Sequence, residues 1–354
     1  MKVSIIGGGG LVGSMAAYAL QFGKAASHIC IIDANKDVAQ GVALDLLQGS
    51  CLVADQRITA GTMEDVSTSN IIVITAGLRR KPDESRLDLI NRNVDLFLNL
   101  LQQAKAAGIK ENTHLVVVSN PVDILTYLAG KLSGLDPKRI IGLGTVLDTA
   151  RFRSHIAKRL QVAPTQVQAL LLGEHGDSMV PIWSSATVAG LPLEQFPGCN
   201  PQLMKDAFEE TKTAGATMIK LKGGSGFAVG VSIAEVVQSI ILDSRKILPV
   251  SSLQNGLYGV HDVCLSVPTE VGCGGVRKLF ELALTPKERI GIQQSGKLLR
   301  DIIDQVEARI ANPSSVAIGA SSPINPLGNS QSNPQSNPQG KILPRSAWQP
   351  SRKY

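Results

Sequence analysis

Short runs rich in β-branched and other aliphatic residues recur in the first 143 residues, and this recurrence constrains the fold more than any other feature of the chain. The runs are Val3–Ile6, Ile29–Ile32, Ile71–Ile74, Leu115–Val118 and Arg139–Gly142. Strands that are apolar at every position are buried on both faces, as in a parallel sheet covered by helices. The segments between them, such as Gly13–Phe22 and Asp37–Gln48, have the amphipathic spacing of helices. The alternation predicts a doubly wound α/β domain over residues 1–143.

After Leu147 the pattern changes to helices mixed with short strands. Long amphipathic segments cover Met204–Lys222 and Val229–Ser244, and a last helix is predicted from about Pro286 to Ile310. Proline suits the first turn of a helix, where its missing N–H would have been unpaired. We therefore predict an α+β substrate and catalytic domain over residues 144–311.

The last 43 residues, 312–354, differ in composition from the rest. They hold seven of the chain's 18 prolines and a tandem Ser-Asn-Pro-Gln at Ser332–Gln339. Such a polar segment cannot bury enough apolar surface to offset its chain entropy, so a disordered tail is predicted. The tail also carries four basic residues and no acidic one, so it contributes +4 of the chain's net charge of +6. The basic excess is mainly a property of the tail, and it gives no indication of a nucleic-acid partner.

Cysteine usage and hydropathy narrow the cellular setting. The five cysteines are widely spaced and form no C-x-x-C pair, which predicts neither a disulfide framework nor a metal site. No stretch reaches the roughly 18–20 apolar residues that cross a bilayer. We expect a cytoplasmic protein without a membrane partner.

A glycine-rich segment follows the first predicted strand directly. Gly7–Gly13 contains G-x-G-x-x-G, and Asp33 ends the second strand 20 residues later. Glycines here allow a tight turn and let backbone N–H groups approach a pyrophosphate at a helix N-terminus, while the carboxylate accepts from a ribose hydroxyl and repels a 2′-phosphate. The pair predicts a Rossmann-type domain that binds NAD rather than NADP. The expected cofactor contacts are Gly8, Gly10, Leu11, Val12, Gly13 and Asp33.

Further polar residues follow the later strands. Each has an ordinary explanation when taken alone: a solvated charged loop at Arg79–Arg86, a turn at Asn120, a helix-capping ion pair between Asp148 and Arg151, and a loop histidine at His175. Their joint order and spacing favour a catalytic site instead.

In these segments the chain resembles the lactate/malate dehydrogenase family, over about residues 2–310. The matching segments are the glycine loop, Asp33, the Arg-Lys-Pro loop ending at Arg86, Asn93, Ser119–Asp123, Leu147–Arg151, Gly173–Gly176 and Lys222–Ser225. The resemblance implies that His175 donates and accepts a proton and that Asp148 orients it.

The resemblance also assigns the binding residues. It implies that Arg151 pairs with the substrate carboxylate, Arg86 polarises the reacting carbonyl and Asn120 holds the substrate oxygen. The further cofactor contacts that it implies are Asn93, Val118, Ser119 and Asn120. These roles agree with general chemistry, because imidazole exchanges protons near neutral pH and guanidinium matches a planar carboxylate. A homodimer or homotetramer is expected as well.

The substrate is predicted from Arg80. Lactate-specific members of the family have glutamine six residues before the loop arginine, and malate-specific members have arginine. A buried arginine gains a partner in a second carboxylate, so we expect malate and oxaloacetate as substrates. Ser225, where lactate enzymes usually have threonine, supports the same expectation. Because Arg79 is adjacent to Arg80, either of the two can be the arginine that selects the substrate.

Two alternatives to a malate dehydrogenase stay open at this point. The first is a lactate dehydrogenase or a broad 2-hydroxy-acid dehydrogenase. The second is an NAD-binding protein that has kept the fold and lost the activity, although a fold alone does not require two arginines and an aspartate around one histidine.

Overall fold

The computed structural model describes residues 1–79, 81 and 83–311. Arg80, Pro82 and residues 312–354 lie outside the described residues. The predictions that rest on Arg80 and on the tail therefore have no structural counterpart below.

Helices and strands alternate along the first part of the chain, as predicted. The strands are β1 (Lys2–Ile6), β2 (His28–Ile32), β3 (Arg57–Gly61), β4 (Ile71–Ile74), β5 (His114–Val117), β6 (Ile140–Gly142), β7 (Val167–Leu172), β8 (Val180–Val188), β9 (Leu191–Pro192), β10 (Lys246–Asn255), β11 (His261–Gly272) and β12 (Gly275–Leu279). The helices are α1 (Leu11–Gly23), α2 (Lys36–Gly49), α3 (Arg86–Ala106), α4 (Val122–Leu132), α5 (Val146–Leu160), α6 (Pro201–Lys222), α7 (Phe227–Ile241) and α8 (Pro286–Ala311).

The larger sheet confirms the predicted Rossmann-type fold. Its strand order is β12-β11-β10-β6-β5-β4-β1-β2-β3, and the six strands from β6 to β3 are parallel to one another. The order reverses between β1 and β4, where Ile6 pairs with Ile32 on one side and with Ile74 on the other. Ligands of open α/β sheets bind at such a reversal, beyond the carboxyl ends of the strands.

Two features of this sheet were not predicted. The edge strand β3 has a mixed exposure pattern and only one buried residue, Ile58, so it lacks the apolar run that marked the other strands. The strands β10, β11 and β12 extend the same sheet on the β6 side in antiparallel pairing. The second half of the chain thus completes the sheet that the first half begins, and the domain boundary near residue 143 stays a prediction.

The core has apolar layers on both faces of the large sheet and a third layer around the small one. Buried aliphatic side chains of β1, β2 and β4 alternate between the two faces of the large sheet. The antiparallel strands β7, β8 and β9 form the small sheet, which packs against α5 and α6 around Phe152. A bridge between Gly173 and Ser266 ties the end of β7 to β11. This bridge anchors the segment that carries His175 to the large sheet.

Candidate active site

The glycine loop turns tightly between β1 and α1. Gly7 has a φ of +84°, a conformation that L side chains rarely adopt. A Cβ at Gly13 would lie 2.3 Å from the Gly7 carbonyl oxygen, and one at Gly8 would lie 2.8 Å from the Ile31 side chain. Glycine is therefore required at these positions if α1 is to begin this close to the sheet.

The start of α1 fits a dinucleotide pyrophosphate. The residue before the helix is Gly10, and no side chain caps the N–H groups of the first turn. Leu11, Val12 and Gly13 form that turn, so their N–H groups have no partner within the helix. Unpaired donors at the positive end of a helix dipole favour an anion.

Asp33 lies where the sequence predicts it, at the end of β2 beside the glycine loop. Its Oδ2 accepts from the Gly9 N–H at 3.0 Å, and its Oδ1 accepts from the Asn35 N–H at 3.0 Å. The carboxylate is only partly buried. It can therefore accept a further hydrogen bond from a hydroxyl group while it braces the loop.

The centre of the site is a hydrogen-bonded chain of three side chains. His175 Nδ1 lies 2.5 Å from Asp148 Oδ2, and Arg151 Nη1 donates to Asp148 Oδ1 at 3.2 Å. Asp148 and Arg151 share one face in the first two turns of α5, and Asp148 is 3% exposed. The sequence-predicted trio is thus brought together, and the opposite ring nitrogen of His175 is left for another partner.

The electrostatics of this trio favour a charged imidazole. Burial opposes the charge, but the Asp148 carboxylate and its hydrogen bond outweigh burial and raise the pKa of His175 to about 9. In return, burial alone would raise the pKa of Asp148, but the charges of His175 and Arg151 lower it. Near neutral pH the histidine holds a proton and the aspartate does not.

A second carboxylate, which the sequence analysis did not single out, holds the histidine from its backbone. Asp123, in the first turn of α4, accepts from the His175 N–H at 2.7 Å. Asp123 appeared only as the end of the Ser119–Asp123 motif, because no local pattern shows that residue 123 meets residue 175. A buried carboxylate on a helix beside a predicted catalytic strand end was the available signal.

Arg86 begins α3 and approaches the His175 segment rather than the imidazole itself. Its Nη1 donates to Asp177 at 2.9 Å, and its Nη2 lies 3.5 Å from Glu174. The side chain is 60% exposed, whereas that of Glu174 is 8% exposed. The arginine therefore has the freedom to move onto a substrate, and Glu174 and Asp177 are partners that the sequence analysis missed.

These residues surround a cavity of about 240 Å³. Its lining includes the side chains of Arg86, Asn93, Asn120, Asp123 and His175, with aliphatic side chains of α3 and α8 on the remaining walls. A cavity of this size holds a small organic acid, and its lining carries the guanidinium of Arg86, the carboxylates of Asp123 and Glu174, and hydrogen-bond groups. Arg151 is not among the lining residues.

The remaining predicted residues lie around this cavity or the glycine loop. Asn93 Oδ1 accepts from the Leu78 N–H at 2.7 Å, so in this state it ties α3 to the start of the charged loop. Ser119 is buried against the end of β4, where its hydroxyl donates to the carbonyl of Ala76, and Asn120 is exposed. Ser119 and Asn120 follow Val118, whose N–H donates to the Ile74 carbonyl oxygen at 2.9 Å.

Ser225 lies between α6 and α7, and its neighbour Gly224 approaches the glycine loop. A Cβ at Gly224 would lie 3.0 Å from Leu11 and 3.9 Å from the Arg79 guanidinium. The structure thus places the Ser225 segment, the charged loop and α1 side by side. No hydrogen bond joins Ser225 to the cavity residues within the part of the chain that the structure describes.

The fold and the site together define a dinucleotide-dependent oxidoreductase with a histidine–aspartate pair. The profile of the lactate/malate dehydrogenase NAD binding domain matches residues 1–142, and that of the lactate/malate dehydrogenase alpha/beta C-terminal domain matches residues 145–310. The chain belongs to the lactate/malate dehydrogenase family, as its motifs predicted, and its cofactor is NAD.

Individual relatives match over nearly their whole length. An L-lactate dehydrogenase of Synechococcus sp. (strain JA-3-3Ab) is 40% identical over 86% of this chain and 99% of its own. The crystal structure of a minor L-lactate dehydrogenase from Enterococcus mundtii is 37% identical, with a TM-score of 0.82 over 86% of this chain and 98% of its own. The malate dehydrogenase structure from Salinibacter ruber is 33% identical, also with a TM-score of 0.82, over 89% of this chain and 100% of its own.

The comparisons correct the predicted substrate. Curated relatives that match at 38–40% identity are named L-lactate dehydrogenase, so the assignment to malate and oxaloacetate is wrong. That assignment depended on the charge of a single loop residue, Arg80, with minor support from Ser225. A charge selects a substrate only through where it lies relative to the substrate, and sequence alone does not give that position.

No helix within residues 1–79, 81 and 83–311 is both long enough and apolar enough to cross a bilayer.

Proposed function

We propose that the protein is an NAD-dependent 2-hydroxy-acid dehydrogenase that interconverts L-lactate and pyruvate. The observation that carries the proposal is the His175–Asp148 pair, which lies beside a cavity that Arg86 and Asn120 also line. The names of the relatives supply the substrate. A protein that had kept only the fold would have no need of a buried carboxylate held against a histidine.

His175 acts as the proton donor for pyruvate reduction. Its raised pKa of about 9 keeps the ring charged at neutral pH, and Asp148 fixes the tautomer by accepting from Nδ1. The proton on Nε2 then passes to the substrate oxygen. In lactate oxidation the neutral ring accepts the same proton. When bound, the cofactor would supply the hydride as NADH or accept it as NAD⁺.

Two arginines divide the work on the substrate. Arg151 is 15% exposed and is fixed by Asp148, so it suits a permanent anchor for the carboxylate. Arg86 breaks its contacts with Glu174 and Asp177 and moves onto the substrate. There it stabilises the negative charge that develops on the carbonyl oxygen. Asn120 donates to the same oxygen, and Ser225 contacts the substrate from the α6–α7 segment.

The cofactor is held by the glycine loop. The N–H groups of Leu11, Val12 and Gly13 bind the pyrophosphate, with Gly8 and Gly10 allowing its close approach, and Asp33 accepts from a ribose hydroxyl. The cofactor contacts proposed on the β4 and β5 side of the reversal are Asn93, Val118, Ser119 and Asn120.

We also propose that the protein is a cytoplasmic homo-oligomer with separate cofactor and catalytic domains that meet near residue 143. An apolar face on α1 and α7 supports self-association. Its side chains include Tyr18, Phe22, Phe227 and Val231, of which each is between 49% and 67% exposed. Sedimentation of a Phe22→Ser, Phe227→Ser double variant tests this face, because loss of apolar area there should lower the assembly state.

Initial rates of NADH oxidation test the proposed function. We expect pyruvate to have a higher kcat/KM than oxaloacetate, and a series with longer 2-oxo acids measures how broad the specificity is. The matched variant His175→Asn should lose at least about 100-fold in kcat while its NADH affinity stays close to normal. A preference for oxaloacetate, or no turnover of any 2-oxo acid, would contradict the proposal.

A further inference from the structure

His175 is held at two points by carboxylates from two different helices. Asp148 of α5 contacts the ring at Nδ1, while Asp123 of α4 accepts from the backbone N–H at 2.7 Å. The second contact fixes the peptide from which the imidazole projects. The ring can therefore reach Asp148 and the cavity in only a narrow range of positions.

Asp123 is almost completely buried. It is 2% exposed, and its Oδ1 has no hydrogen-bond partner within the described part of the chain. Ser251 Oγ, on β10, is buried and also without such a partner. Burial raises the pKa of Asp123 to about 6, against the opposing effects of the nearby Ser251 hydroxyl and of the His175 N–H. Asp123 is therefore ionised throughout the pH range in which His175 titrates.

The charges around the imidazole come from a small number of elements. Asp148 and Arg151 face it from α5, Asp123 faces it from α4, and Glu174 precedes it on its own segment. Arg86 of α3 reaches the segment through Glu174. The buried thiol of Cys264 on β11, near Asp123, is neutral because burial raises its pKa well above the ordinary value. Asp123 is thus the second anion that acts directly on His175.

We propose that Asp123 is a positioning residue that fixes the His175 backbone and, as a second carboxylate beside Asp148, helps to keep the imidazole charged. The inference rests on the proposed function, because it concerns the proton donor of that reaction. Neutralising Asp123 should leave the position of the histidine intact, whereas removing its oxygens should disturb it.

The test compares Asp123→Asn with the wild type by NMR titration of the histidine Cε1 protons in the full chain without substrate. The chain has five histidines, and the signal that disappears in His175→Asn identifies residue 175. Asp123→Asn retains an oxygen acceptor, so we expect the His175 midpoint to fall by about 0.5–1 pH unit. Pyruvate reduction should then fall about 1.5- to threefold at pH 8.5 and stay almost unchanged at pH 6.5.

Asp123→Ala removes the acceptor as well and should lose at least about tenfold in kcat at both pH values. Glu288→Gln is the matched control, because Glu288 is a buried, hydrogen-bonded carboxylate on α8 that does not line the cavity. Its His175 midpoint and rates should equal those of the wild type. An unchanged midpoint in Asp123→Asn, with equal losses in both Asp123 variants at both pH values, would overturn the inference. The titration needs no substrate, so it remains decisive if the wild type turns out not to reduce pyruvate.

Discussion

Replacing Asp148 by asparagine should convert His175 from a charged group at neutral pH into a neutral one. The pKa of His175 is raised from 6.5 to about 9, chiefly by Asp148 against the effect of burial. That difference corresponds to about 3 kcal/mol of preference for the protonated ring. Without the Asp148 carboxylate, burial, which is the largest single effect, outweighs the remaining Asp123 carboxylate, and the Arg151 cation also favours the neutral ring. The pKa should then fall to 6.5 or below.

The consequence for the reaction follows from the sign of this shift. Because the pKa of His175 is raised, the ring in the wild type stays protonated below about pH 9. The wild type therefore loses reductive activity as the pH rises through that value. In Asp148→Asn about one ring in ten, or fewer, is protonated at pH 7.5, so the rate of pyruvate reduction should fall at least about tenfold there. Lowering the pH to 5.5 should protonate the ring again and recover most of the rate of pyruvate reduction that was lost because the ring was neutral.

Profiles of kcat/KM against pH, with NADH saturating, measure both effects. Asp206→Asn is a suitable control, because Asp206 forms an exposed ion pair with Arg159 on the surface of α6. Its profile should match that of the wild type. A midpoint near pH 9 that persists in Asp148→Asn would refute the reasoning, since it would mean that Asp148 does not set the charge of His175.

Two further changes test other parts of the site. Asp33→Ser should narrow the preference for NADH over NADPH by at least about tenfold, since a carboxylate repels the 2′-phosphate; an unchanged ratio of kcat/KM values would contradict its role. Gly13→Ala should lower the free energy of unfolding by about 1–3 kcal/mol in denaturant titrations, because its Cβ would meet the Gly7 carbonyl, whereas Gly41→Ala, in open space on α2, should not.

Much of the fold could be predicted from local patterns. The strands β1, β2, β4, β5 and β6 are buried on both faces, so after their first residues, which include Lys2, His28 and His114, they contain only apolar or small residues. β3 was not predicted, because an edge strand buries less apolar surface and therefore lacks a continuous apolar run. The strands β10 to β12 were expected to be short parts of a second domain, and pairing with β6 across more than 100 residues placed them in the first sheet.

The site residues were predicted from the resemblance to the family rather than from the fold. Asp148 and Arg151 follow the parallel strand β6, whereas His175 follows β7 of the small antiparallel sheet, and the three side chains do meet. The substrate was predicted wrongly because it depended on the position of one charged side chain, Arg80, rather than on a repeated pattern.

The sequence by itself therefore determined the parallel sheet and the glycine turn, which are set by residue type and spacing along the chain. The histidine–aspartate pair was predicted from the resemblance of its motifs to a known family. Only the tertiary structure decided that Asp123 holds the His175 backbone and that Arg86 contacts Glu174 and Asp177. Those contacts join residues 52 to 91 positions apart, and they depend on how helices pack on the sheet to within an ångström.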